Sequence, residues 1–450
     1  MSLSELLALG VSHKTAPIEL RERLALTERR AVGVLGELRT HEQVSEAAAI
    51  STCNRTELYL VVSDPVEAES LALGALSRQA GIRPTELIES LYSHRGIEAG
   101  RHLFRVAAGL DSMIVGEAEI QGQVKRAYEL ALVEGVTGAI LNRLFRGALA
   151  AGKRVRDETR IGEGGISVPS AAVELATRTL GELTGRHVLL IGAGETAELT
   201  ARALTVRGVE TVFVANRRHD RALGLAERFG GSAVRLEDLP AQLEVADIVI
   251  SSTNSPHHLV EREELELVAG ARGHRPLLLI DLAVPRDIDP SCRDVDGVVV
   301  RDVDDVQTIA ERNAGGREVE ARGAELIVAA ELARFERWLG SLEVLPTVAS
   351  LRVRADEVVT RVLAENAGRF DGLGEGDRRR IEAMARAIAS RLLHEPTLRL
   401  KRAAEDADAY QQVAALRELF GLDAGTEPEG AGAEVRPLRR GADRAGDRKP

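Results

Sequence analysis

The sequence predicts an α/β protein built from several domains, and three observations carry that reading. At 450 residues the chain is too long to close around one hydrophobic core. Between Val188 and Arg301 short apolar runs alternate with helical patterns, the signature of parallel strands joined by helices. After Arg301 the pattern is helical and polar as far as Leu422.

Taken in order, Leu6–Ser12 and Glu46–Thr52 read as strands, with a helix over about Glu28 to Arg39 between them and a further strand at Glu57–Ser63. Cys53 thus falls on a strand-to-strand connection, where reactive groups are often carried. From Ile97 to Thr159 the pattern turns helical, and the glycine-rich stretch Ile161–Gly165 breaks it. HVLLIGAG is then a buried strand, TAELTARALTVRG a helix with Gly208 past its end, and TVFVANR the next strand; ADIVISST, PLLLIDLAV and GVVVRD continue the series. One very long helix is expected from Asp302 to Leu339, loosened at Gly315-Gly316, and Pro346 should break or restart it. Asp377–Lys401 and Tyr410–Leu422 are further helices. Polar helices with sparse apolar positions suggest an oligomerisation region, and the Gly, Pro, Arg and Glu content beyond Leu422 reads as a disordered tail.

Two cysteines far apart, without a signal-like N-terminus, exclude a disulfide framework and fit a reducing cytoplasm. No apolar run is long enough to span a membrane, so no membrane partner is expected. A net charge of −11 argues against a generally basic surface, and aromatic residues at 3% argue against a stacking platform for single strands. His13, His94 and the pair His257-His258 lack metal-ligand spacing, so no metal site is expected. A nucleic-acid footprint would have to be local. The basic stretch Arg143 to Arg160 is one candidate for phosphates, a solvated helix face being its equal alternative, and Arg378 to Arg402 is a second, against dimer packing.

The segment VLLIGAGETAELTARAL holds G-x-G-x-x-A at Gly192, Gly194 and Ala197, directly after a buried strand and at the start of a helix. The first glycine permits the tight turn and the second lets the backbone approach a pyrophosphate. The small third residue packs helix on strand. The loop residues Ala193, Glu195 and Thr196 join this site, so the domain is of Rossmann type. The second strand ends in Asn216, Arg217 and Arg218, where an NAD site usually offers a carboxylate; two arginines favour a 2′-phosphate, hence NADPH.

A lone cysteine is more often a small core hydrophobe than a catalyst. For Cys53 the polar neighbours Thr52, Asn54 and Arg55 predict a partly exposed thiol at a strand end, with Arg55 favouring the thiolate. Cys292 lacks that setting and reads as structural.

GVSHKTAPIELRERLAL, STCNRTELYL, HLFRVAAGLDSMIVGEAEIQGQVKRAY, GKRVRDETRIG, VLLIGAGETAELTA and LLLIDLAVPRDIDP stand in the order and spacing of the glutamyl-tRNA reductase family, which the chain therefore resembles. The resemblance implies a catalytic domain at 1–160, an NADPH domain at 161–301, a spinal helix and helical dimerisation domain at 302–422, and a tail at 423–450, assembled as a V-shaped homodimer. It implies NADPH-dependent reduction of glutamyl-tRNA to glutamate-1-semialdehyde, the first committed step of tetrapyrrole synthesis. Cys53 would attack the ester, tRNA would leave, and the enzyme thioester would accept hydride. It also implies that His102 is needed for activity and that Thr52, Cys53, Asn54 and Arg55, with Ser112, Glu117, Ala118, Glu119 and Gln123, form the glutamyl pocket. Arg55 could then grip a substrate carboxylate with two parallel bonds. Where the family's G-E-x-Q-I motif has glutamine, this chain has Glu119, a carboxylate that repels a substrate carboxylate unless paired. A glutamate-1-semialdehyde aminomutase is the partner the resemblance suggests. The competing readings are a shikimate-type NADP-dependent dehydrogenase, which shares the glycine fingerprint and the "NR" strand end but needs no thiol, and a non-catalytic tRNA- or redox-responsive regulator.

Overall fold

The computed structural model describes residues 5–162, 167–209, 212–273, 275–312, 318–403 and 409–422. The expected tail from 423, the Gly315-Gly316 pair and residues 163–165 of the glycine break lie outside them. The chain divides into two compact units, Ser2–Leu339 and Gly340–Pro450.

In the first unit β1 (Glu5–Ser12), α1 (Ile18–Leu24), α2 (Glu28–Arg39), β2 (Val44–Ser51), β3 (Arg55–Val62), α3 (Pro65–Ala80), α4 (Pro84–Leu87), β4 (Tyr92–Arg95), α5 (Ile97–Ala107), α6 (Glu119–Val133) and α7 (Ala139–Glu158) follow one another. The strands form an antiparallel sheet in the order β2-β3-β1-β4. β3 is buried along its whole length, so its residues on both faces are enclosed, Arg55 and Glu57 included. Leu7, Leu58, Leu60, Leu103, Phe104, Leu144 and Phe145 belong to the core that joins sheet and helices.

The same unit continues with α8 (Val168–Leu180), β5 (Val188–Ile191), α9 (Glu195–Val206), β6 (Val212–Ala215), α10 (His219–Arg228), β7 (Ser232–Val234), α11 (Leu239–Val245), β8 (Ile248–Ser251), α12 (Arg262–Ala271), β9 (Leu277–Asp281), β10 (Val298–Arg301) and α13 (Val303–Arg312). Six parallel strands lie in the order β10-β9-β8-β5-β6-β7. Numbered within the domain this is 3-2-1-4-5-6, the dinucleotide-binding order, with its switch point between β5 and β8. Ligands of such sheets bind at that crevice, outside the strand C-termini. Val303, Val306 and Ile309 seat α13 in the domain's core, and that core also takes in Ile18 of α1 and Met113 and Ile114.

α14 (Glu318–Glu365) is a single helix of 48 residues, so Pro346 does not break it as expected. A proline inside a helix costs about 3 kcal/mol, and a helix this long evidently absorbs that loss. α15 (Glu375–Ala403) likewise contains Pro396, and α16 (Ala409–Phe420) completes the second unit, where Val348, Leu400 and Leu416 pack together.

Candidate active site

β2 and β3 are joined by only three residues, Thr52, Cys53 and Asn54. The Thr52 hydroxyl accepts from the backbone N–H of Asn54 at 3.1 Å and of Arg55 at 3.2 Å, while Thr52 N–H donates to the Arg55 carbonyl at 2.8 Å. Thr52 thus closes the turn, and its hydroxyl is already engaged. Alongside, His13 N–H donates to the Asn54 carbonyl at 2.8 Å, which ties the end of β1 to the turn. Cys53 is half-buried as a residue, yet the surroundings of its sulfur are dense. Burial, reinforced by the carboxylates of Glu117 and Glu119, pushes the thiol up to about 12, with Arg21 acting in the opposite direction.

The cation acting on the thiol is therefore Arg21 rather than the expected Arg55. Arg55 is 1% exposed, and its Nη1 donates to Glu57 at 2.6 Å and to Asp111 Oδ2 at 3.2 Å; its Nη2 donates to the Asp111 carbonyl. The reason is the strand period of two, which sets Arg55 and Glu57 on one face of a fully buried strand, where an unpaired charge would be prohibitive. With both terminal nitrogens committed, the two-bond grip expected of Arg55 is not available in this arrangement. Only its Nε remains without a partner.

Glu57 is the hub of a closed network. It accepts from Arg55, from the hydroxyls of Tyr59 at 2.7 Å and Tyr92 at 2.5 Å, and lies 2.9 Å from His102 Nε2. Burial works to raise its pKa, but Arg55 and His102 outweigh that and hold the carboxyl well below the usual range. His102, on α5, thus connects to the Cys53 turn through Glu57 and Arg55.

The third wall is the loop between α5 and α6, closed at its base by Gly116 N–H donating to the Gly109 carbonyl at 2.9 Å. Gly116 has φ +86°, and a Cβ there would lie 2.2 Å from the Ile161 carbonyl oxygen, so no larger residue fits. The loop brings Asp111 to Arg55 and Lys14, and Ser112 beside Glu117 but outside hydrogen-bonding geometry. Burial and the neighbouring Glu119 push the Glu117 carboxyl up to about 7. Glu119 is itself raised by burial and by Glu195. This carboxylate, which the resemblance sets at a glutamine position, has no ion-pair partner among the described residues, and only Arg126 acts against the rise. Ala118 precedes α6 and is exposed; Gln123 is half-buried one turn beyond Glu119. Five of the seven buried polar side-chain atoms without a partner among the described residues belong to this site: His13 Nδ1, Arg21 Nε, Asn54 Oδ1, Arg55 Nε and Ser112 Oγ. His13, Arg21 and Asp111 were not candidates on sequence, because their neighbours at the site are remote in the chain.

Glu195 opens α9, at the switch point of the parallel sheet. Gly192 takes φ +119°, with its N–H donating to the Ala215 carbonyl at 2.8 Å, and a Cβ there would stand 2.8 Å from the Ser252 carbonyl oxygen. A Cβ on Gly194 would meet nothing within 4 Å, which leaves the N-terminus of α9 open to a pyrophosphate; Ala197 is buried against the sheet. Ala193 and Thr196 complete the loop. After β6, Asn216 Oδ1 accepts from Arg218 N–H at 3.2 Å, and the side chains of Arg217 and Arg218 are exposed with no acidic partner among the described residues. These features fit a dinucleotide carrying an extra phosphate. Replacing Arg217 and Arg218 by neutral residues should remove charge-assisted bonds worth about 1.5 to 3 kcal/mol each. The NADPH-to-NADH ratio of kcat/KM should fall accordingly, and an unchanged ratio would remove these arginines from the site.

Most of the basic stretch Arg143–Arg160 is occupied within the protein. Arg143 lies over the Trp338 ring, Arg146 donates to Tyr128, Arg154 pairs with Glu158 and Glu331, and Arg156 donates to Gln121 and the Glu117 carbonyl. It is chiefly a packing face. No group of three or more His, Cys, Asp or Glu suited to a metal occurs among the described residues.

A dinucleotide-binding sheet with a glycine fingerprint at its switch point, in one compact unit with a half-buried thiol, defines a nicotinamide-dependent oxidoreductase that carries a cysteine among unpaired polar groups. Residues 9–159 match the family model for the glutamyl-tRNA(Glu) reductase N-terminal domain, 174–309 that for shikimate/quinate 5-dehydrogenase, and 323–422 that for the glutamyl-tRNA(Glu) reductase dimerisation domain. The glutamyl-tRNA reductase of Syntrophotalea carbinolica is 42% identical over 94% of this chain and 96% of its own length, and that of Rubrobacter xylanophilus 42% over 96% and 98%. The solved structure of glutamyl-tRNA reductase from Methanopyrus kandleri is 34% identical, covering 94% of this chain and 100% of the other, with a TM-score of 0.51. The chain belongs to the glutamyl-tRNA reductase family.

Proposed function

We propose that the protein reduces glutamyl-tRNA to glutamate-1-semialdehyde with NADPH, through a thioester on Cys53. The observation that carries the reading is the set of unsatisfied polar groups gathered about Cys53, on a wall whose Glu119 feels the charge of Glu195 at the start of α9. Buried polar groups without partners are rare and mark a place where a polar ligand belongs. Asn54, Ser112 and the Arg55 Nε, with Gln123, are the groups left to receive the glutamyl moiety.

A thiol titrating near 12 needs a base when substrate arrives, and Glu117 serves as that base. Its support is a carboxyl that titrates near 7 and whose charge acts on the thiol. As the Cys53 proton passes to Glu117, sulfur bonds to the ester carbonyl carbon, and the bond to the ribose oxygen breaks. Glu117 then returns the proton to that oxygen, which leaves as intact tRNA. A thioester has lost much of the ester's resonance stabilisation and is the better electrophile. A nicotinamide dinucleotide held by Gly192, Gly194 and the N-terminus of α9 would supply the hydride that the thioester needs, and Cys53 would leave as the thiolate when the aldehyde forms. His102 positions Arg55 through Glu57 rather than touching the reacting atoms. The aldehyde feeds tetrapyrrole synthesis, and a glutamate-1-semialdehyde aminomutase is the consumer its chemistry calls for.

The working form is a homodimer. Met384, Ile388 and Leu392 recur every fourth residue on α15 and are exposed, an apolar stripe suited to a second copy within the region matched as a dimerisation domain.

The test is capture of the acyl group. Enzyme given tRNA charged with radiolabelled glutamate, without NADPH, should carry label on Cys53 that alkali or hydroxylamine removes. Label absent from Cys53, with reduction intact, would refute the covalent route.

A further inference from the structure

We propose that Arg21 is a positioning residue for Cys53, and that through it the seating of the cofactor domain is felt at the nucleophile. Arg21 is 2% exposed, on α1. Its Nη1 donates to the carbonyl of Cys53 itself at 2.8 Å, and its Nη2 donates to Asp304 at 2.5 Å. Asp304 stands in the first turn of α13, the helix that Val303, Val306 and Ile309 seat in the core of the cofactor domain. One side chain thus connects the turn that carries the thiol to the domain that carries the glycine loop.

The rest of α1 is held by that domain as well. Ile18 is buried in its core. Glu22 accepts from Arg286 N–H at 2.7 Å, from its Nε at 2.8 Å and from its Nη2 at 2.8 Å, and Glu19 accepts from Nη1 at 3.3 Å. The Arg286 loop is pinned in turn by Asp281, which accepts from Ala283 and Ile288 N–H, and by Asp287, which accepts from Ser251 and Thr253. Arg21 therefore leans on a fixed support when it fixes the Cys53 peptide. The charged groups acting on the thiol are Glu117 and Glu119, which oppose the thiolate, and Arg21, which favours it. Removing Arg21 takes away the favourable charge and frees the carbonyl it holds.

The inference deepens the reading of Cys53 as nucleophile, but its test needs no substrate. Cys292 is fully buried, so iodoacetamide modification followed by intact mass reports Cys53. Below the thiol's pKa the alkylation rate tracks the thiolate fraction, so an upward shift of one unit slows it roughly tenfold at every pH in that range. Arg21→Gln is expected to slow alkylation by about that factor, and Arg21→Lys, which keeps the charge but cannot bridge both partners, by less. Asp304→Asn, which keeps the shape of a side chain 42% exposed, should slow it severalfold. Arg286→Gln loosens the same domain contact without touching Arg21 and should leave the rate within about twofold. Wild-type rates in Arg21→Gln, or in Asp304→Asn, would overturn the proposal. So would equal slowing by Arg286→Gln, since Arg21 would then be only one more tie between domains. If these rates shift as stated while no glutamyl group is ever trapped, the positioning role stands and the thioester reading falls.

Discussion

Cys53→Ser is expected to abolish both reduction and hydrolysis of glutamyl-tRNA while leaving NADPH binding and unfolding unchanged. If acyl transfer comes first, the thioester forms with or without reductant and must then wait. Water attacks a waiting thioester, so the wild-type protein without NADPH should slowly release free glutamate and uncharged tRNA, and adding NADPH should divert that flux to aldehyde. Serine cannot substitute. An acceptor titrating near 7, as Glu117 does, can share the proton of a thiol, but an alkyl hydroxyl holds its proton far more tightly. The cofactor loop lies on a separate sheet, so its affinity should persist. A serine variant that still made aldehyde at near the original rate would mean direct reduction of the ester.

Glu57→Gln should be the most damaging change to stability. Four donors converge on this carboxylate from Arg55, Tyr59, Tyr92 and His102, and it is fully buried. An amide offers one acceptor oxygen and turns two new hydrogens toward those donors, while Arg55 keeps only Asp111. Breaking a buried ion pair on one side costs about 3 to 5 kcal/mol. Urea unfolding followed through the N-terminal sheet should show that loss at pH 7. The pH dependence has a definite sign. The folded carboxyl titrates below its unfolded value, so its contribution is complete above about pH 4.5 and is lost as pH falls through the folded value. The gap between wild type and variant should therefore narrow on acidification, and a gap constant down to pH 2 would contradict the pairing.

Local pattern carried the sequence reading where local pattern decides structure. The apolar runs and the glycine spacing were enough for the parallel sheet, and the polar neighbours Thr52, Asn54 and Arg55 were enough to set Cys53 on a strand-to-strand connection, although β3 begins at Arg55 rather than at Glu57. What was not legible were partners brought together from a distance. Arg55 looked free because Asp111 lies 56 residues away, and Arg21 was not singled out because Cys53 and Asp304 lie 32 and 283 residues away. The same holds for the basic stretch ending at Arg160, two of whose partners, Glu331 and Trp338, come from α14. Pro346 failed as a helix stop for a related reason, since local propensity is a weak prior in an element set by its surroundings.

The loop that brings Asp111, Ser112 and Glu117 to the thiol buries Met113 and Ile114 in the core of the cofactor domain. The two domains are thus not interchangeable cassettes. A chimera that grafted another dehydrogenase sheet behind this catalytic domain would inherit a complete glycine fingerprint and still misplace the substrate wall, because part of that wall is rooted in the sheet it lost. Recombination between relatives would succeed only where the socket for these two residues travelled with the graft. The lineage of this active site is therefore written as much in the packing of the cofactor domain as in the cysteine segment.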